Sequence, residues 1–218
     1  MTIDYAPSHL ESVEVFRENE LAELRLCAEI HPLSSLLSNP RWKEESAIDF
    51  ACTSARIEGN TYTRGEAITP MKMGRTAGGT SFIEAQMIVN LRDAFAMLLE
   101  RAEKLVNEGL SGLRQLHRVL MRGILPDSEL GATRKTKGAR IGGTTYIPPD
   151  SESFIDEQAG ILFRRLGHAA NAFDASLYAA CNLSYLQIFE DATSAPRARS
   201  RTRYCSLPAF HPCSFESR

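Results

Sequence analysis

The side chains best suited to acid–base or metal chemistry are scattered along this sequence. Five histidines stand at positions 9, 31, 117, 168 and 211, and none lies at metal-ligand spacing from another ligand. His117 lies among apolar residues of a predicted helix, where a lone histidine is more often packed than catalytic. The five cysteines, at positions 27, 52, 181, 205 and 213, form no CxxC pair. We therefore expect reduced thiols and no metal site.

Two other phrases carry polar side chains at a defined spacing. Ser54 and Glu58 are four residues apart in a predicted helix, so they share one helical face. Gly59 follows and is expected to end that helix at the C′ position. The second phrase runs from Gln187 to Asp191 and holds two adjacent acids. Its first side chain is an amide, which cannot act as a base near neutral pH.

The elements that would position these side chains are mostly helices. Capping-box patterns at Thr63 and Ser81 predict two helix starts, and the second opens the longest predicted helix, about 81–107. The segment from Arg140 to Tyr146 predicts a short β-hairpin, because β-branched and aromatic residues surround a glycine pair. The remaining predicted helices lie at 9–38 (one or two), 41–58, 111–123, 152–167 and 174–188. The predicted fold class is all-α with one small hairpin.

Three segments between residues 45 and 150 together resemble the Fic family, whose active members transfer AMP from ATP to a hydroxyl of a target protein. They are the phrase Ser54-x-x-x-Glu58-Gly59, the linker 76–81 with the helix after it, and the stretch from Leu116-His117 through Gly131-x-x-Arg134 to Pro149. The resemblance implies a Fic-like helical bundle with a β-hairpin flap beside its active site. It also implies ATP and Mg²⁺ as cofactors.

The resemblance assigns roles to two of these segments. Ser54, Glu58 and Gly59 would be an N-terminal inhibitory-helix motif, in which the glutamate pairs with an arginine of the catalytic loop and obstructs the ATP γ-phosphate. The flap would pair with a strand of the target protein. It comprises Ile141, Gly142, Gly143, Thr144, Thr145 and Tyr146. The alternatives are an exposed surface acid at position 58 and an ordinary surface hairpin.

The family's catalytic loop is only partly matched. Its pattern is His-Pro-Phe-x-[Asp/Glu]-[Gly/Ala]-Asn-[Gly/Lys]-Arg-x-x-Arg, and the motif-remnant positions here are Gln187, Phe189, Glu190 and Asp191. Gln187 stands where the family has its general-base histidine. Ile188, Thr193 and Ala195 replace the proline, the asparagine and the first arginine of the pattern. No intact catalytic set is therefore expected, and we predict an inactive protein.

The sequence after Asp191 loses helical periodicity, which predicts disorder and an incomplete C-terminal end of the fold. We hypothesise a reading-frame shift near codon 193. A neighbouring frame should then encode an Asn-x-Arg-x-x-Arg phrase, and its absence would refute the hypothesis. The predicted domains are an N-terminal helical segment (1–40), a Fic-like domain (41–192) and an irregular basic tail (193–218). Loss of the last helices would uncover an apolar face, so a homodimer is possible.

Composition favours a soluble cytoplasmic protein, with 43% hydrophobic and 24% charged residues. No apolar run is long enough to span a bilayer, so no membrane association is expected. The tail carries five arginines and one acid, a charge of +4, which leaves −6 on residues 1–192 for the net −2. Two alternative functions stay open. One is a peptide-binding module that uses the flap, and the weaker one is nucleic-acid binding through the tail, which lacks lysines and an aromatic rhythm.

Overall fold

A computed structural model describes residues 2–30, 32–74, 76, 81–135, 137–141 and 143–190. Several of the sequence predictions fall outside these ranges. They concern Gly142, Asp191, most of the linker 76–81 and the whole tail 193–218. The tail's disorder and the nucleic-acid alternative based on it therefore stay predictions.

Helices dominate the described residues and confirm the predicted all-α class. The α-helices are α1 (Glu18–Ile30), α2 (Leu33–Leu37), α3 (Pro40–Ile57), α4 (Arg64–Met73), α5 (Phe82–Asn107), α6 (Leu110–Met121), α7 (Glu152–Leu166) and α8 (Ala172–Leu186). A 3₁₀ turn covers Pro7–Leu10, and two short strands are β1 (Ile3–Asp4) and β2 (Tyr146–Ile147). None of the described helices is both long and apolar enough to cross a membrane.

The chain divides into two compact units. One contains the described residues of 1–14 and 103–218, and the other those of 15–102. The division falls beside an interruption of α5, where Arg101 has a non-helical backbone conformation (φ −135°, ψ 16°). The single helix predicted over 81–107 is thus two helical segments joined at this residue.

Local capping chemistry explains the helix limits in the unit formed by residues 15–102. The side chain of Asn39 accepts hydrogen bonds from the backbone N–H groups of Arg41 and Trp42, and starts α3. The predicted capping box at Thr63 is present. Its side chain accepts from the N–H of Glu66, whose carboxylate accepts the Thr63 N–H at 2.9 Å. These contacts open α4.

Helices α6, α7 and α8 enclose the apolar core of the other unit. Leu113 from α6, Ile155 from α7 and Leu186 from α8 are among its buried side chains. Ile188 and Phe189, which follow α8, belong to the same core and are 3% and 5% exposed. The segment after α8 is therefore held in place by apolar burial.

The structure corrects one detail of the predicted fold, the β-hairpin at 140–146. A turn does form, since Thr144 donates its backbone N–H to the Ile141 carbonyl at 3.2 Å. The strand that follows, β2, pairs in parallel with β1 in a sheet of two strands within the described chain. Because β1 and β2 lie far apart in the sequence, their pairing leaves no local sequence pattern.

Candidate functional site

The post-α8 turn, defined here as residues 187–190, begins with an unusual backbone conformation. Gln187 has φ +51° and ψ 64°, in the left-handed region, and its N–H donates to the Leu183 carbonyl at 3.1 Å. Its side-chain Nε2 donates to the Ser184 carbonyl at 2.7 Å. Left-handed geometry is uncommon outside glycine, so these bonds must stabilise it. The Gln187 amide therefore acts as a C-terminal cap of α8.

Arg134 fixes the post-α8 turn from the opposite side. Its guanidinium is buried at 3% exposure, and its Nε donates to the Gln187 carbonyl at 2.6 Å. A second guanidinium nitrogen donates to the Pro149 carbonyl, and the charge is paired with Asp150 at 3.5 Å. The Arg134 backbone N–H also donates to the Ile188 carbonyl at 2.9 Å. Arg134 thus joins the end of α8 to the residues on both sides of the predicted flap.

His117 packs underneath this turn. Its ring is fully buried and stacks on Phe189, with centroids 4.2 Å apart and an interplanar angle of 18°. Nδ1 accepts the Gly131 backbone N–H at 2.9 Å, which places the ring proton on Nε2. Burial lowers the pKa of His117 to about 4, against an ordinary value of 6.5. The histidine is therefore neutral near pH 7, and its interpretation as a packed residue is confirmed.

The His117 ring also lies near Glu190, the last residue of the turn. The backbone of Glu190 lies close enough to favour the protonated ring, although burial outweighs that effect on the pKa. Nε2 nevertheless has no partner within hydrogen-bond geometry among the described residues. The His117 ring thus lies near the Glu190 backbone without a hydrogen bond of normal distance and angle to it.

The predicted flap residues differ in exposure. Gly143, Thr144 and Thr145 are exposed, and Ile141 is half-buried. Tyr146 packs inward, because its ring stacks on Tyr185 at 4.4 Å and its hydroxyl donates to the Tyr185 carbonyl at 2.5 Å. Burial raises the pKa of Tyr146. The exposed turn is thus available to a partner, whereas Tyr146 holds the base of the flap.

The phrase around Ser54 lies in the compact unit formed by residues 15–102. Ser54 is buried at 2% exposure, and the Glu58 backbone N–H donates to its carbonyl at 3.3 Å. The two residues therefore share a face at the end of α3, as the spacing predicts. Gly59 follows with φ +83°, which confirms it as the helix stop. Glu58 is half-buried.

The end of α3 is fastened to the start of α5. The Asn60 side chain donates to the Glu84 carbonyl at 2.9 Å. The Glu84 carboxylate accepts from both the N–H and the hydroxyl of Thr61, at 2.8 and 2.9 Å. These bonds fix the geometry of the turn that follows Glu58.

Comparisons with known proteins give one informative likeness. No protein-family model matches the sequence, and no curated protein matches it. A crystal structure of a Fic family protein from Desulfovibrio desulfuricans G20 matches with a TM-score of 0.67 and 21% sequence identity. The match covers 83% of this chain. The chain has a Fic fold. It spans about half of the matched protein, 55% of that chain.

Three of the four positions that the family resemblance assigns to a catalytic loop make structural contacts in this fold. Gln187 caps a helix, Phe189 is a core residue, and the Glu190 carboxylate accepts the Lys135 backbone N–H at 2.9 Å. Asp191, the acid that the resemblance assigns to Mg²⁺, lies outside the described residues. No group of three or more potential metal ligands comes together in the part of the chain that is described. Binding of ATP and Mg²⁺ stays a prediction.

Sequence reasoning missed two groups of contacts that lie beside the post-α8 turn and β2. Arg114 donates to both carboxylate oxygens of Asp156 at 3.0 Å and to the Thr133 hydroxyl at 3.0 Å. Thr133 in turn pairs with Phe189 in an isolated antiparallel bridge. The second group is formed by Tyr185, whose ring stacks on that of Tyr146. Both groups join residues far apart in the sequence, so no local spacing could have revealed them.

Proposed function

We propose that the chain is a Fic-type protein, related to enzymes that transfer AMP from ATP to a target hydroxyl, and that it has lost this activity. The observation that carries the proposal is the state of Gln187. Its side-chain nitrogen is bonded to the Ser184 carbonyl, and its own carbonyl is bonded to Arg134. The position that should hold the general base is occupied by a structural amide.

The missing base has a predictable effect on rate. A glutamine amide cannot accept a proton near neutral pH. Loss of a general base lowers a rate by about 10²–10⁴-fold. His117 lies beside the turn, where its ring stacks on Phe189, but its Nδ1 is occupied and its pKa of about 4 makes it a poor base. Neither side chain can replace the family histidine.

Phosphate binding is also weakened under this proposal. The resemblance places an asparagine and an arginine after the acid, and the sequence has Thr193 and Ala195 there. Arg134, a cation beside the turn, uses its guanidinium on the Gln187 and Pro149 carbonyls and on Asp150. It is buried and committed to these groups, so it does not serve as a phosphate ligand.

The test is incorporation of label from α-³²P-ATP with Mg²⁺ into the purified chain and into a lysate. We expect none above a protein-free reaction. Gln187→His restores only the base. This variant should also incorporate no label, because positions 193 and 195, which the resemblance assigns to phosphate binding, remain changed. Labelling by the unmodified chain would overturn the proposal. Labelling by the variant alone would assign the loss to the base.

A second candidate function is the binding of an extended protein segment at the flap, without chemistry. The exposed turn Gly143–Thr145 leads directly into β2, a strand held by backbone pairing, and this observation favours it. Selection from a displayed library of extended peptides tests this function. Selected peptides should lose affinity when alternate backbone N–H groups are methylated. Failure to select any peptide above an unrelated helical protein, both with the unmodified chain and with a variant in which the pairing of β1 with β2 is removed, would contradict it.

A further inference from the structure

Strand β2 already has an occupant, and it comes from the same chain. Ile3 lies opposite Tyr146 and Asp4 lies opposite Ile147 in a parallel register. The Ile3 backbone N–H donates to the Thr145 carbonyl at 3.1 Å. The backbone groups along this edge of β2 are thus engaged by residues near the N-terminus.

The occupant is held by one aromatic anchor rather than by its strand side chains. Ile3 is 52% exposed, and Asp4 is exposed as well. Tyr5, in contrast, stacks on Tyr185 with centroids 4.8 Å apart and meets the edge of Phe154 at 5.8 Å. Most of the buried contact of this segment is therefore made by the residue directly after the strand.

Polar contacts surround the same anchor. The Tyr5 hydroxyl donates to Oε1 of Gln158 at 3.4 Å. The Ala6 backbone N–H donates to the Tyr185 hydroxyl at 3.0 Å. Tyr185 also stacks on Tyr146 of β2, so one side chain near the end of α8 supports both strands. An aromatic ring followed by a free N–H is the pattern that this site accommodates.

We propose that Thr145–Ile147 and Tyr185 form a strand-binding site, and that residues 2–6 are its resident strand. The partner is an extended protein segment with an aromatic residue in the place of Tyr5. The residue after it is not proline, so that its backbone N–H can donate to Tyr185. The side chains before it face solvent. This inference rests on the proposed strand-binding function of the flap. A tethered strand has a high effective concentration, on the order of millimolar, so an external segment binds only when the resident strand is weakened or displaced.

The experiment uses the full-length chain and a fluorescent peptide of residues 2–8, Thr2-Ile3-Asp4-Tyr5-Ala6-Pro7-Ser8. Tyr5→Ala removes the anchor of the resident strand, and Tyr5→Phe is the matched control that keeps the ring. Fluorescence anisotropy should show peptide affinity for Tyr5→Ala at least about tenfold above that of the unmodified chain. The Tyr5→Phe chain should behave like the unmodified one, and a peptide with alanine in place of its tyrosine should not bind.

A second variant tests the same proposal in case Tyr5→Ala does not fold. Ile3→Pro removes the N–H that donates to Thr145 but deletes little buried surface, and it should expose the site in the same way. Circular dichroism establishes that each variant is folded. Equal, measurable peptide affinity in all folded chains would overturn the proposal that residues 2–6 occupy the site, but it would leave the proposed strand-binding function intact. No binding of this peptide or of any selected extended peptide to any folded variant would overturn both.

Discussion

A buried neutral histidine makes the stability of this protein depend on pH. The folded-state pKa of His117 is about 4, below its ordinary value of 6.5, because burial and the nearby charge of Arg118 disfavour the imidazolium. The unfolded chain therefore binds a proton more readily than the folded chain in this interval. The stabilisation by neutral His117 is complete above about pH 6.5 and is lost as the pH falls toward about 4.

We predict that His117→Asn flattens this dependence. Asparagine keeps a carbonyl oxygen that can accept the Gly131 N–H but does not titrate. For the unmodified chain, the histidine contributes a fall in the free energy of unfolding of about 3 kcal/mol across the interval. Urea unfolding from about pH 7.5 to about pH 4 measures it. His168→Asn is the matched control, since His168 is exposed. Identical pH profiles for the three chains would contradict the prediction.

At the scale of elements, local chemistry explains the helices and long-range contacts explain the rest. The start of α4 at Thr63 and the end of α3 at Gly59 were predictable, because the side-chain cap and the positive φ are encoded within a few residues. The parallel pairing of β1 with β2 was not predictable, since it joins residues far apart in the sequence, beside the stack of Tyr146 on Tyr185. The local sequence pattern of residues 140–146 instead predicted a β-hairpin.

The hydrogen bonds between the post-α8 turn and the residues that flank the predicted flap depend on Arg134. We predict that Arg134→Met lowers the free energy of unfolding by about 3 kcal/mol or more, because it removes several charge-assisted hydrogen bonds and leaves two partly buried carbonyls unsatisfied. Gln187 and Pro149 are the residues that would lose their partner. Urea titration measures the loss.

The matched control for that variant is Arg140→Met. Arg140 is exposed and bonds only to the neighbouring Ala139 carbonyl among its described contacts. Its replacement should change the free energy of unfolding by no more than about 0.5 kcal/mol. Similar losses for both substitutions would show that the change in net charge, rather than the loss of the Arg134 hydrogen bonds, lowers the free energy of unfolding.

At the scale of the whole molecule, the family resemblance predicted more than residue patterns could. The order of three weak phrases pointed to a Fic fold, which the crystal structure from Desulfovibrio desulfuricans G20 supports over 83% of the chain. Composition and periodicity alone gave only an all-α protein. The state of the site was partly predictable, since Gln187 is visible in the sequence, but its left-handed backbone and its bond to Ser184 depend on the folded end of α8.

Self-association is the prediction that belongs to this scale. Leu26 and Ile30 are 58% and 61% exposed and lie four residues apart on α1, and Leu33 at the start of α2 is 56% exposed. Adjacent exposed apolar side chains favour association. We expect light scattering to show a concentration-dependent homodimer that Ile30→Lys weakens and Glu29→Lys does not. A monomer at every concentration would contradict this expectation.

The bond between the Gln187 side chain and the Ser184 carbonyl bears on the history of this protein. Once an amide at that position closes the final turn of α8, a mutation back to imidazole would forfeit the closure and, under the proposed function, restore no chemistry. Selection on foldedness would then oppose reversion. Under the proposed function, the loss of the reaction would be entrenched, because the side chain at this position now stabilises the end of a helix.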